Sequence, residues 1–309
     1  MKNVRLSAPT AEDINAQIAK ILRGLGSPEP PLDLRIVREL LKLDRGYYSS
    51  DDDGLVRDVV SRLKIAGRQV LQRPTLLSEA IRGWNLKALY LPDQKRILID
   101  KALPPLKHRW NEAHEIGHDI IPWHAGMMMG DTEHTLTIGC RAHVEAEANF
   151  AAGRLLFLGD RFVHEANASV PTLSHVRGLS KRFGNTITST LWRFVEQAHV
   201  TTPMIALVSG HPHPSKWKED FDPLSPCRHS IESPSFTAQF GSASDTMMFQ
   251  AISTYCGSQR GGELGVDEII LNDQRGEAHV FRFETFFNGH DALTLGVCVR
   301  RHADATVVK

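Results

Sequence analysis

The sequence predicts an α+β protein: a helical domain carrying a short β-sheet, followed by a β-rich C-terminal domain. Three patterns predict it. Apolar residues recur at helical spacing through most of the first 200 residues, two short β-type runs interrupt them, and the last 30 residues alternate with period two.

The helical pattern begins at Ala11–Leu25, where Ile14, Ile18, Ile21 and Leu22 form a stripe closed by Gly26 and the Pro28/Pro30/Pro31 cluster. Leu34–Leu43 is a second amphipathic segment. The acidic run Asp51–Asp53 precedes a third, Leu55–Leu71, and its charge suits a helix N-terminus. Leu86–Leu91 and Arg96–Asp100 then read as strands joined across Pro92-Asp93-Gln94-Lys95. A helix should start near Lys107, a long one covers Ala142–Leu158, and two more span Leu173–Phe183 and Thr186–Ala198. After Pro203, Met204–Ser209 is strand-like, and residues 210–235, rich in Pro, His and Ser, read as loop. Phe281, Phe283, Thr285 and Phe287 alternate up to Asn288-Gly289, and Leu293, Leu295, Val297 and Val299 alternate back. Asn-Gly there favours a primed two-residue turn. The expected division is residues 1–200, including an N-terminal helical extension over 1–30, and residues 201–309.

Composition narrows the class without naming a function. The chain has 309 residues, 36 basic against 36 acidic side chains, and 41% hydrophobic residues, which suits a globular protein of about two domains. Zero net charge removes any global electrostatic case for a nucleic-acid or membrane-surface binder. No run approaches the roughly 18–20 apolar residues of a spanning helix, and residues 1–25 lack the apolar core of an export signal. Four scattered cysteines (Cys140, Cys227, Cys256, Cys298) form no CxxC pair, so a reduced, cytoplasmic protein is expected.

Chemistry concentrates in Asn111-Glu112-Ala113-His114-Glu115-Ile116-Gly117-His118, an HExxH motif on an expected helix. His114 and His118, four apart, share one helix face and can share a zinc ion, with Glu115 beside them to take a proton from an attacking water. A third protein ligand is needed, and two residues compete. His124 stands at the third-histidine spacing of the metzincin pattern, but Ile121 occupies the place of that pattern's turn glycine, and no separated Met-turn follows. Glu145 is the stronger candidate. On the helix around it, Val144, Ala148, Ala151 and Leu155 form an apolar stripe, Glu145 flanks the stripe, and Asn149 follows one turn on to orient a ligand. Glu147 lies about 200° round the helix from Glu145, beside Arg154, and is expected to be solvated.

The segment Ala113–His118 together with Glu145–Ala152 (EAEANFAA) resembles the ImmA/IrrE family of zinc metallo-endopeptidases, over about residues 30–200. That family joins an AHExGH helix to a downstream E-x-x-A-N-x-F-A helix; here Phe150 follows Asn149 directly. The resemblance implies a small gluzincin-like metallopeptidase domain, one catalytic Zn2+ held by His114, His118 and Glu145, and Glu115 as general base. It implies a cytoplasmic protease whose partner is a protein substrate, a helix-turn-helix transcriptional repressor, cleaved to derepress stress-response or mobile-element genes. The N-terminal helix-turn-helix domain common in the family is not evident, and Leu155-Leu156-Phe157-Leu158 lacks a proline often found there. The β-rich C-terminal domain would sense a signal or hold substrate. The Arg96–Asp100 strand could pair with an extended substrate as a sheet edge. His143, His164 and His175 are open candidates for stabilising an oxyanion.

The rival reading is a regulatory protein- or DNA-binding module with a structural or vestigial metal site. A structural site has no need of Glu115. Leu179–Phe194 has a helix-turn-helix cadence around Gly184, but its few basic residues favour a packed helical hairpin, and direct DNA binding is not expected. The pairs His211/His213 and Cys227/His229 lack a structural-zinc spacing and read as surface loop.

Overall fold

The computed structural model describes residues 6–48, 88–91, 95–124 and 138–302. The expected helix Leu55–Leu71, the Asp51–Asp53 run and Met127–Met129 lie outside the described residues. The fold is α+β, and the chain divides into two compact units, Val4–Asp160 and Arg161–Lys309. The break falls at 160/161 rather than near residue 200. The two helices expected to close the first domain instead pack on the sheet of the second, a pairing that local periodicity does not encode.

In the first unit, α1 (Ala8–Gly24) starts at Ser7, whose hydroxyl accepts the Thr10 N–H at 3.3 Å, and buries Ile14, Ile18 and Ile21. Asp33 caps α2 (Leu34–Leu41) by accepting the Arg35 N–H at 2.8 Å. Three strands follow: β1 (Asp44–Tyr48), β2 (Ala88–Leu91) and β3 (Arg96–Asp100). Their order is β1-β3-β2, with β1 parallel and β2 antiparallel to β3. Thus β3 is the central strand, its Ile97 and Ile99 fully buried, and it is not the edge expected from its hairpin alone. The parallel partner β1 comes from 52 residues upstream, Asp44 pairing with Arg96, and its Asp44-Arg45-Gly46 start carries no strand signature.

Two helices complete the unit: α3 (Pro105–Ile120) and α4 (Ile138–Leu156). The buried Glu112 on α3 accepts from Arg38 Nε at 2.6 Å and from Arg45 Nη1 at 2.8 Å, tying α3 to α2 and β1. α4 lies against α3 through small side chains; Ala148, Ala151 and Ala152 are fully buried. At Gly117 the approach is so close that a Cβ would sit 2.9 Å from the Ala148 carbonyl oxygen and 3.3 Å from the Ala151 Cβ.

The second unit opens with α5 (Asp160–Asn167), then α6 (Leu173–Phe183) and α7 (Ile187–Gln197). Thr172 caps α6, Gly184 takes φ +64° at its end, and Thr186 caps α7. No residue of α7 is exposed; it packs on β4 (Met204–Ser209) and β5 (Cys227–Glu232), with Trp192 5.2 Å from the His229 ring. Leu191 and Phe194 of α7 and Phe183 of α6 are fully buried, as a packed helical hairpin requires. Strand β5 lies inside the segment expected to be loop. Its CRHSIE sequence alternates weakly, and only pairing with β4 defines it.

Beyond β5 come α8 (Pro234–Phe240), α9 (Asp245–Tyr255) and the strands β6 (Gly262–Asn272), β7 (Ala278–Phe287) and β8 (Ala292–Arg301). The sheet order is β5-β4-β8-β7-β6, antiparallel throughout. Ile205, Leu207, Phe281 and Phe283 meet Phe236, Met248 and Ile252 on one face. Met204, Ala206 and Val208 point to the other and are equally buried, so the sheet is covered on both sides over β4. The β7–β8 connection is a four-residue loop. Asn288 Oδ1 accepts the N–H groups of His290 and Asp291, each at 2.8 Å, and Gly289 alone of the pair takes positive φ. The side-chain turn of Asn288 thus replaces the primed turn its dipeptide favoured.

The α3–α4 contact yields the first expectation. Gly117→Val should lower stability by about 2–3 kcal/mol, because the added carbons meet backbone that cannot move aside. Thermal melting checks it, and an unchanged melting temperature would contradict the contact.

Candidate metal centre

The last two turns of α3 carry His114, Glu115 and His118, and α4 crosses them at Gly117 with Glu145 and Asn149 on the near flank. The imidazole Nε2 atoms of His114 and His118 lie 3.2 Å apart. Glu145 places Oε2 3.1 Å from His114 Nε2 and Oε1 4.0 Å from His118 Nε2. All three groups offer an atom within 4.8 Å of the others. Ligands of a tetrahedral ion with bonds of about 2.0–2.1 Å stand roughly 3.3 Å apart; the His114–His118 and His114–Glu145 separations match that spacing, and the His118–Glu145 one is longer.

The protons point the same way. Asn149 Oδ1 lies 3.1 Å from His114 Nδ1 and accepts its proton, which leaves His114 Nε2 a lone pair facing the Glu145 carboxylate. Two acceptors at that distance need a cation between them, a proton or a metal ion. Burial alone would depress the His114 pKa, but the Glu145 hydrogen bond and the nearby Glu115 charge raise it, which expresses the same attraction for positive charge. Burial pushes His118 down to about 3, and the neighbouring His114 adds to the effect, so its imidazole is neutral and suited to a metal. Two imidazoles and one carboxylate fit zinc well, and the 59% exposure of the Glu145 side chain leaves one side of the group open to solvent.

Glu115 is buried beside His114. Burial raises its carboxyl pKa to about 7, opposed by His114, reinforced by the Glu145 charge, and opposed again by a hydrogen bond from the Tyr90 backbone. A carboxyl poised there can take up and release a proton near neutral pH. Tyr90, on β2, also donates its hydroxyl to Asp119, which Lys95 Nζ contacts at 2.5 Å. These contacts fix β2 beside α3.

The residues singled out from the sequence divide clearly. His114, Glu115, His118 and Glu145 are brought together, and Asn149 holds His114 as its spacing suggested. His124 stands on the other side of His118, with its Nδ1 3.0 Å from His118 Nδ1 and away from the Nε2 side where Glu145 lies. Glu147 is not solvated. It accepts from Trp123 Nε1 at 2.7 Å and contacts His124 Nε2 at 2.8 Å. The 200° separation from Glu145 was sound, but it sets the two carboxylates on opposite flanks of the apolar stripe, and both flanks face α3 and its C-terminal extension. Tyr90 carried no sequence signal, because its role depends on strand order. Among the oxyanion candidates, His143 is exposed, and His175 Nε2 is 3.2 Å from the Ala166 carbonyl.

Asp273, Glu277 and His279 form a second group of ligand-type side chains. Asp273 Oδ1 accepts from the Arg275 and Glu277 N–H groups at 2.9 and 2.8 Å, and Arg301 pairs with Glu277 at 2.5 Å, so the β6–β7 turn accounts for it. Among the described residues neither His211/His213 nor Cys227/His229 joins such a group.

No family model and no curated protein matches the chain. A solved structure titled "Mycobacterium tuberculosis transcriptional regulator" is similar at 12% identity and a TM-score of 0.50, covering 96% of this chain and 94% of that one. The likeness concerns the mixed α and β fold alone. No described helix is long and apolar enough to cross a membrane.

If Glu145 is a ligand, Glu145→Ala should reduce metal affinity by more than the roughly 10–100-fold typical of outer groups, with the fold retained because the side chain is exposed. Metal analysis with circular dichroism checks both; full occupancy in the variant would remove Glu145 from the ligand set.

Proposed function

We propose that the chain is a zinc-dependent endopeptidase of the ImmA/IrrE type. The observation that carries this reading is the convergence of His114, His118 and Glu145 with the buried Glu115 beside them. A structural site would explain the three ligand-type groups but not a proton-active carboxyl next to them.

A bound zinc ion would polarise a scissile carbonyl and acidify water at the open side. The rest falls to the chain. Glu115 takes the proton of the attacking water and delivers it to the leaving amine, a role its buried position beside His114 suits. Asn149 keeps His114 in the tautomer whose Nε2 faces inward. Strand β2, an edge among the described residues and joined to Glu115 through Tyr90, replaces the central β3 as the place where an extended substrate backbone would lie. The proposed substrate is a helix-turn-helix repressor, a choice that rests on the family resemblance. The second unit would hold it or sense the signal that releases cleavage.

The test compares new protein N-termini in host cells expressing the chain or its Glu115→Gln variant. One or a few termini should depend on Glu115, and purified variant should cleave that substrate about 10²–10⁴-fold more slowly. Identical N-terminal profiles under growth and stress would contradict the protease reading.

A further inference from the structure

The contacts of His118 on its outer side form a chain that the proposed chemistry leaves unexplained. Helix α3 ends at Ile120, Ile121 is extended at φ −91° and ψ 106°, and Pro122 opens a new helical turn over 122–124, a first-turn place where its missing N–H costs nothing. In that turn the His124 N–H bonds to the Ile121 carbonyl at 3.0 Å. This brings the fully buried His124 against His118, with Nδ1 to Nδ1 at 3.0 Å. Glu147 closes the other end: its Oε2 lies 2.8 Å from His124 Nε2 and 2.7 Å from Trp123 Nε1.

We infer that Glu147 and His124 are positioning residues, forming a buried relay that fixes His118 in the tautomer able to bind metal through Nε2. The proton assignment follows from the donor inventory. Tryptophan only donates and an ionised carboxylate only accepts, so Glu147 takes the Trp123 N–H and the His124 Nε2–H. A neutral His124 then has a bare Nδ1, and the 3.0 Å contact requires the proton to sit on His118 Nδ1. His118 Nε2 is left a lone pair, aimed at His114 Nε2 and Glu145. Reversing the relay would put a proton on His118 Nε2, where a metal must bind. Trp123 fixes which way Glu147 faces, and α4 supplies all three carbonyl-type groups around the two histidines, Glu145 inward and Asn149 and Glu147 behind. Outer groups of this kind orient metal-binding imidazoles and strengthen them as ligands.

The inference rests on the proposed metal centre but not on proteolysis, so its test reads metal binding. Zinc titration of the full chain should show affinity weakened roughly 10–100-fold in His124→Ala and in Glu147→Ala. Glu147→Gln should recover most of it, because an amide oxygen still accepts both N–H groups. The double variant His124→Ala/Glu147→Ala should bind no more weakly than His124→Ala, since Glu147 acts only through the histidine. Cobalt-loaded Glu147→Ala should show a displaced visible absorption band relative to wild type. Melting of the metal-free proteins separates loss of binding from loss of fold. Wild-type affinity in both alanine variants, or a Gln variant as weak as the Ala variant, would overturn the relay while leaving the metal centre standing. A wild-type chain that binds no zinc would overturn the metal centre and the relay with it.

Discussion

Everything at the candidate centre depends on how closely α4 can approach α3. A helix carries His114 and His118 on one face by its own geometry, but the third group must come from elsewhere in the chain. The distance is set where Gly117 meets the Ala148 backbone, with Ala151 and Ala152 beside it. Any side chain at 117 would press on the Ala148 backbone, on the same helix that carries Glu145. The glycine inside the HExxH motif is thus a packing requirement rather than a flexibility one, since it lies in regular helix.

Around that contact, α4 works on two flanks. Glu145 and Asn149 reach the side of the histidines nearest solvent, whereas Glu147 reaches the buried segment after α3. The same helix therefore offers a negative group to the open centre and acceptors to the outer ring nitrogens. The inner atoms, two imidazole nitrogens and a carboxylate, are the kind of group that can hold a cation. Glu115 shares this environment but faces β2, where one backbone N–H offsets part of the burial that would otherwise push its pKa higher still.

Much of this was legible in the sequence because it is local. Capped, amphipathic helices such as Leu173–Phe183 announce themselves by period and end residues, and the paired motif on α3 and α4 needed only helix spacing to place its side chains. Features that depend on distant partners were not legible. Strand β1 exists through parallel pairing with β3, β5 through pairing with β4, and the edge position of β2 through both. The unit boundary at 160/161 follows from α6 and α7 packing on a sheet that is made later in the chain. Glu147 shows the limit most clearly: the helical period gives its angle, but which neighbour occupies that angle is a tertiary fact. His124 was drawn in by spacing and belongs near the site, though on the far ring nitrogen of His118.

The second unit is a sheet covered on both faces over β4, with a core of Phe236, Phe281 and Phe283 against α8 and α9. The Asp273 group there is explained by the β6–β7 turn. The groups proposed to hold a metal are His114, His118 and Glu145. X-ray absorption at the zinc edge on the purified full chain tests this directly. One zinc per chain with two imidazole nitrogens and a carboxylate oxygen is the expected result; a third imidazole, a thiolate or no bound metal would contradict it.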